Sequence, residues 1–162
     1  MTVRSELETG LVGATGIGLL GILQAGTSAF KQLATGNVYW DSRTRIQRAE
    51  KEVLLSWGGR ELAGAVTGRL FRSKVAIELF LATNDAVHAA ATRYDEALEQ
   101  AAQELVEALD HKETLFEAAL TARVNEIRCY EQSAVDILFP DPQDARLRYT
   151  QTLMLEVVAW ET

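Results

Sequence analysis

The sequence predicts an all-α protein, an elongated helical bundle or coiled coil with a Gly-rich apolar helix at its N-terminus and an amphipathic helix at its C-terminus. Three observations carry this expectation. The chain's two prolines, Pro140 and Pro142, both stand near the C-terminus. Neither Gly nor Pro interrupts the 71 residues from Arg69 to Phe139. The middle is rich in Ala, Leu, Glu, Gln and Arg, a composition that favours helices over sheets. At 162 residues and 48% apolar content, the chain suits one domain or one extended helical subunit.

Four segments follow: 1–36, 37–82, 83–139 and 140–162. In the first, Ser5-Glu6-Leu7-Glu8 has the Ser-x-x-Glu form of a capping box and starts a helix. Gly36-Asn37, able to take the left-handed conformation, ends it. Leu11 to Phe30 holds no charge in 20 residues, about the length that spans a bilayer. Its five glycines, Gly13, Gly16, Gly18, Gly21 and Gly26, each cost an exposed helix about 1 kcal/mol relative to Ala. Small residues recur four apart as Gly10-Ala14-Gly18 and Gly21-Ala25-Ala29, a spacing that lets another helix come close. The segment is therefore expected to be an assembly surface, at an oligomer's centre or in a membrane. A secretory signal is the rival reading, from Arg4 before an apolar run and the small residues Thr27-Ser28-Ala29. Against it, Glu6 and Glu8 occupy the place of a basic region.

In the second segment, Asp41 or Ser42 caps a helix reaching Trp57, with Ile46, Ala49, Val53, Leu54 and Trp57 on one face. Gly58-Gly59 breaks it, and Leu62 to Ala82 is expected to be helical again, with Gly64-x-x-x-Gly68 as a further close-approach surface. Arg69, Arg72, Lys74 and Glu78 exclude a membrane span there. The third segment carries three-four spacing through Val87, Ala91, Tyr94, Leu98, Ala101, Leu105 and Leu109. The spacing resumes through Phe116, Leu120, Val124, Ile127, Tyr130, Ala134 and Leu138, the seam of a coiled coil. Asp110-His111-Lys112-Glu113 interrupts this seam, and both a turn and a continuous helix fit. Asp141-Pro142 then caps a final helix through Leu147, Met154, Val157, Val158 and Trp160.

The net charge of −7 conceals an asymmetry. Residues 1–81 carry ten Lys and Arg against seven Asp and Glu, and residues 82–162 carry six against sixteen. Such a split favours contact between unlike ends of neighbouring copies. Cys129 stands alone, which excludes an intrachain disulfide.

No catalytic constellation or cofactor motif emerges from two histidines, one cysteine and no Gly-rich phosphate loop after a strand. Asp85-x-x-His88 with Glu104, Glu107 and His111 forms the best metal-ligand set, although bundle di-metal sites need a second Glu-x-x-His unit. Arg43, Arg45, Arg48 and Lys51, beside Tyr39 and Trp40, form a basic patch with the residue types that meet phosphates and bases. Nucleic acid ranks behind protein partners because the rest of the chain is acidic.

Trp57-Gly58-Gly59 between two expected helices resembles the Trp-x-Gly turn of the small helical proteins of type VII secretion. That resemblance implies an antiparallel helical hairpin and export. The family's Tyr-x-x-x-Asp/Glu signal is missing, since Leu98, Ala134 and Leu153 stand fourth after Tyr94, Tyr130 and Tyr149. The layout of residues 10–30 and 84–139 is similar to that of internal or ejection proteins of tailed phages, which implies a virion subunit. The functional expectation is a non-enzymatic assembly subunit that self-associates, joins other subunits and contacts a lipid bilayer, in a virion or at a membrane. A helical metal-binding protein or enzyme is the alternative.

Overall fold

The computed structural model describes residues 2–41, 48–64 and 69–161, and in it a single sheet replaces most of the expected bundle. The elements run α1 (Val3–Gly10), α2 (Leu19–Ala25), a 3₁₀ turn (Ala29–Gln32), β1 (Val38–Trp40), β2 (Lys51–Leu62), β3 (Leu70–Thr83), α3 (Ala86–Ala91), α4 (Tyr94–Leu109), α5 (Glu113–Ala119), β4 (Val124–Glu131), β5 (Asp136–Leu138) and β6 (Leu147–Trp160). Strand order is β1-β2-β3-β6-β4, with β5 also paired to β6. β1 lies parallel to β2, and the other pairings are antiparallel.

The all-α and coiled-coil expectations are thus overturned, and the reason is the period of the side chains. In β3, Ser73, Val75, Ile77, Leu79 and Leu81 are buried, and the residues between them as far as Glu78 are only half-buried. That alternation is the mark of a strand. β6 repeats it, with Leu153, Leu155, Val157 and Ala159 facing the helices opposite Ile77, Val75, Ser73 and Phe71. These strands are 14 residues long, against a usual strand of about 5–6, so a breaker-free apolar stretch passes for a helix. The expected C-terminal amphipathic helix is β6, and the expected 62–82 helix is β3.

The seam from Tyr94 to Leu109 does form a helix, α4. Tyr94, Leu98, Ala101, Leu105 and Leu109 are buried, but against β3, β4, β6 and α2 and not against a second long rod. The rod ends where the polar interruption stands: Asp110 is the C-cap, His111 takes φ 58°, and α5 begins at Glu113. Beyond α5 the expected seam becomes β4 and β5.

The N-terminal apolar run is not one helix. Thr2, and not Ser5, caps α1, accepting the N–H of Ser5. The chain then leaves the helix, passes Gly16 at φ 61° and folds back onto itself before α2. Leu11, Ile17, Leu19, Leu20, Leu23 and Phe30 are buried in the core of this one chain. The small residues serve that fold-back: a Cβ on Gly18 would stand 2.0 Å from the Gly13 carbonyl oxygen, and one on Gly21 2.0 Å from that of Ala14. Among the described residues no helix is long and apolar enough to cross a membrane.

Trp57-Gly58-Gly59 lies inside β2 and not between helices, which removes the likeness to the type VII turn. The register shifts between Trp57 and Gly59 in a β-bulge, where Gly59 takes φ 110°, a conformation open to glycine.

Candidate functional site

The residues singled out from sequence scatter. Asp85 caps α3, accepting the N–H groups of Val87 and His88 at 3.0 Å. His88 meets the Tyr94 ring edge-on. Glu104 accepts the N–H groups of Thr27 and Ser28, each at 3.1 Å, and Gly26 leaves room for its carboxylate: a Cβ there would lie 1.8 Å from Oε2. Glu107 accepts from Gln103 on the exposed side of α4, and His111 lies in the turn beyond it. Among the described residues no three His, Cys, Asp or Glu side chains stand together as a metal site.

Of the basic patch, Arg43 and Arg45 lie outside the described residues, as does Gly68. Arg48 pairs with Glu52 and Glu78 and lies over the Phe80 ring, 3.9 Å from its centre. Lys51 opens β2. Trp40 stacks on Trp57 at 5.0 Å and donates its ring N–H to the Glu8 carbonyl. Tyr39 donates to fully buried Glu52, which also accepts from the Ala49 N–H. Burial alone would raise the Glu52 carboxyl, yet the hydrogen bonds from Tyr39, Ala49 and Arg48 hold it below its ordinary value. Arg48, Tyr39 and Trp40 are thus engaged within the chain. Gly10 packs near Ile17, Ala14 and Ala25 are exposed, Ala29 begins the 3₁₀ turn, and Gly64 approaches Leu70.

The more distinctive arrangement is at the sheet's two edges. β4 is an edge strand, and carboxylates from the neighbouring helical layer take its outward N–H groups. Glu117 accepts from Val124 at 3.2 Å, Glu113 from Ile127 at 3.3 Å and Asp110 from Cys129 at 2.9 Å. The His111 N–H donates to the Ile127 carbonyl. An edge occupied in this way cannot pair with another chain. Burial, with a smaller contribution from the Asp110 charge, pushes the Cys129 thiol up to about 12, so it stays protonated and unreactive.

Further along the same side of β6, the edge is held by β5. Ile137, Leu138 and Phe139 are exposed there at 41%, 40% and 72%, and the described residues supply no carboxylate guard. At the opposite side of the sheet, among the described residues β1 covers β2 at Val53 to Leu55. Gly58 to Leu62 are exposed beyond it, with Leu62 at 62%. The sequence carried one trace of the guard, the spacing of Asp110, Glu113 and Glu117 along one helical stripe, but not the strand it protects.

No family model matches this chain, and no curated protein matches it. Among solved structures, a chain of the virion of a native gene transfer agent particle is 16% identical, covering 91% of this chain and 97% of its own length at a TM-score of 0.45. A second solved chain, known only by a serial identifier, is 14% identical over the whole of both chains at a TM-score of 0.42. At these TM-scores neither likeness bears on what the present chain does.

Proposed function

We propose that this chain is a non-enzymatic assembly subunit whose copies join head to tail, the open β2 edge of one copy meeting the β5 edge of the next. The observation that supports it is the selective guarding of the sheet. The β4 edge is blocked by three carboxylates, while among the described residues β5 and the far half of β2 carry no such guard and expose Ile137, Leu138, Phe139 and Leu62. Arg60 is paired with Glu161 and Asp141 with Arg148, so the joining of these two edges rests on backbone and apolar contact and not on free charge. A contact between two different surfaces is heterologous, so it propagates into a ring or filament. A virion is one setting for such a subunit; support comes from the edges, and the two solved chains lend none.

Sedimentation of Leu62→Asp and of the double variant Leu138→Asp/Phe139→Asp tests the pairing. Wild type is expected to associate with rising concentration, and each variant alone to remain monomeric. The two mixed in equal amounts should form a dimer that stops there, because each retains one sound edge. A wild-type monomer at every concentration, or a mixture that stays monomeric, refutes the reading.

A further inference from the structure

A cleft of about 600 Å³ opens between α4 and the β4–β6 layer, beyond the last guarded N–H of β4. Glu99, Gln103, Val106, Asp110, Glu131 and Gln151 line it. Gln151 belongs to the helix-facing side of β6, two residues before Leu153, and is only 2% exposed. Its side-chain N–H donates to the Ser133 carbonyl at 3.3 Å, which fixes the amide's orientation. Among the described residues no hydrogen-bond donor then meets the amide oxygen. A buried acceptor left without a donor is costly, and natural folds seldom keep one without a use.

Charge narrows the class of donor that would complete it. Three carboxylates, those of Glu99, Asp110 and Glu131, face the cleft, against the single cation Arg128, whose Nε lies 3.7 Å from Asp110. Two negative charges remain uncompensated there. Val106, Ala134 and Val135 supply an apolar wall suited to a short methylene stem. We propose that this cleft binds an alkylammonium group, its N–H directed to the Gln151 amide oxygen and its charge held by Glu99 and Glu131. The group is carried either by a free amine or by a lysine side chain of another protein. This site is separate from the open strand edges and uses none of their apolar residues.

Titration of ¹⁵N-labelled full chain with 1,5-diaminopentane, followed by ¹H–¹⁵N spectra at low salt, tests it. Saturable shifts are expected in the Gln151 side-chain amide and in the backbone amides of Glu99, Gln103, Val106 and Glu131. The uncharged analogue 1,5-pentanediol should leave them unmoved. Glu99→Gln and Glu131→Gln alter exposed side chains, and each should weaken binding about threefold, the scale of one solvent-screened charge pair. Gln151→Met, similar in volume, should abolish the saturable response while the remaining spectrum stays folded. A blocked pentapeptide with central lysine, run in parallel, separates the sources: tighter saturation by the diamine assigns a free amine, and by the peptide a partner's lysine. No saturable shift with either probe overturns the proposal, as does equal binding of the diol or indifference to both Gln variants.

Discussion

Replacing Asp110 by Ala removes the acceptor that the Cys129 N–H now meets at 2.9 Å and leaves a sheet-edge donor facing the end of α4. A hydrogen bond to a charged group contributes about 1.5–3 kcal/mol. Asp110's side chain is 26% exposed, so water replaces part of the loss and the lower end applies, about 1.5 kcal/mol. For a chain of this size that corresponds to a fall in Tm of about 3–6 °C. The local signature is sharper. If the β4 edge opens more readily by the same free energy, exchange of the Cys129 amide should quicken about tenfold, while amides of central β3 hold their rates. Losing the Asp110 charge also lowers the Cys129 thiol, although burial, the larger cause, keeps it above its ordinary value. Asp110→Asn keeps a carbonyl oxygen in place and should recover about half of the stability. Urea unfolding joined to amide exchange by NMR reads all of this. A Cys129 amide that exchanges at the wild-type rate in Asp110→Ala would show that Asp110 does not guard the edge.

Three further outcomes follow from the same geometry. Gly21→Ala forces a Cβ to within 2.0 Å of the Ala14 carbonyl oxygen, and urea unfolding should show a loss of about 3 kcal/mol, the upper range for overpacking, or failure to fold. Glu6 accepts both the N–H and the hydroxyl of Thr121, at 2.6 and 2.7 Å, tying α1 to the loop before β4, so Glu6→Ala should cost about 2–3 kcal/mol in the same assay. Hydrogen bonds from Arg146 hold the Asp144 carboxyl down to about 2, and Glu52 is lowered as well. Carboxyls depressed by folding stabilise the protein above their unfolded value of about 4, and that contribution disappears as pH falls from about 4 towards 2. Thermal melts should therefore steepen their decline across that interval, and Asp144→Asn should flatten part of it.

How much of this was legible in the sequence depends on which period a segment admits. Tyr94 to Leu109 obeys only the helical period: its alternate residues Glu96 and Gln100 would put polar groups in a sheet's core, so α4 was readable. Its end was half readable, because Asp110 and Glu113 form a capping pattern whose meaning depends on His111 accepting a positive φ. β3 and β6 obey both periods. Val75, Ile77, Leu79 and Leu81 alternate, yet Phe80 and Ala82 are buried too, through Arg48 lying over the Phe80 ring and through neighbouring strands. Burial on both faces erases the alternation that would have named a strand.

The same logic explains the N-terminal run. Rows of small residues four apart mark a close approach whatever backbone brings it about, so the approach was legible and its partner was not. The sequence suggested a neighbouring helix of another chain, whereas the fold supplies the carbonyls of Gly13 and Ala14 in the same chain. Once that run is internal, it cannot drive assembly, and any self-association must come from surface the core leaves free. Among the described residues, the guarding of β4 beside the unguarded β5 and end of β2 makes those two short edges the ones the proposed contact uses. Under the proposed head-to-tail contact one edge pair holds two copies together, as the dimer of mixed variants requires, and copies that hold both edges at once, as in a closed ring, add a second such contact.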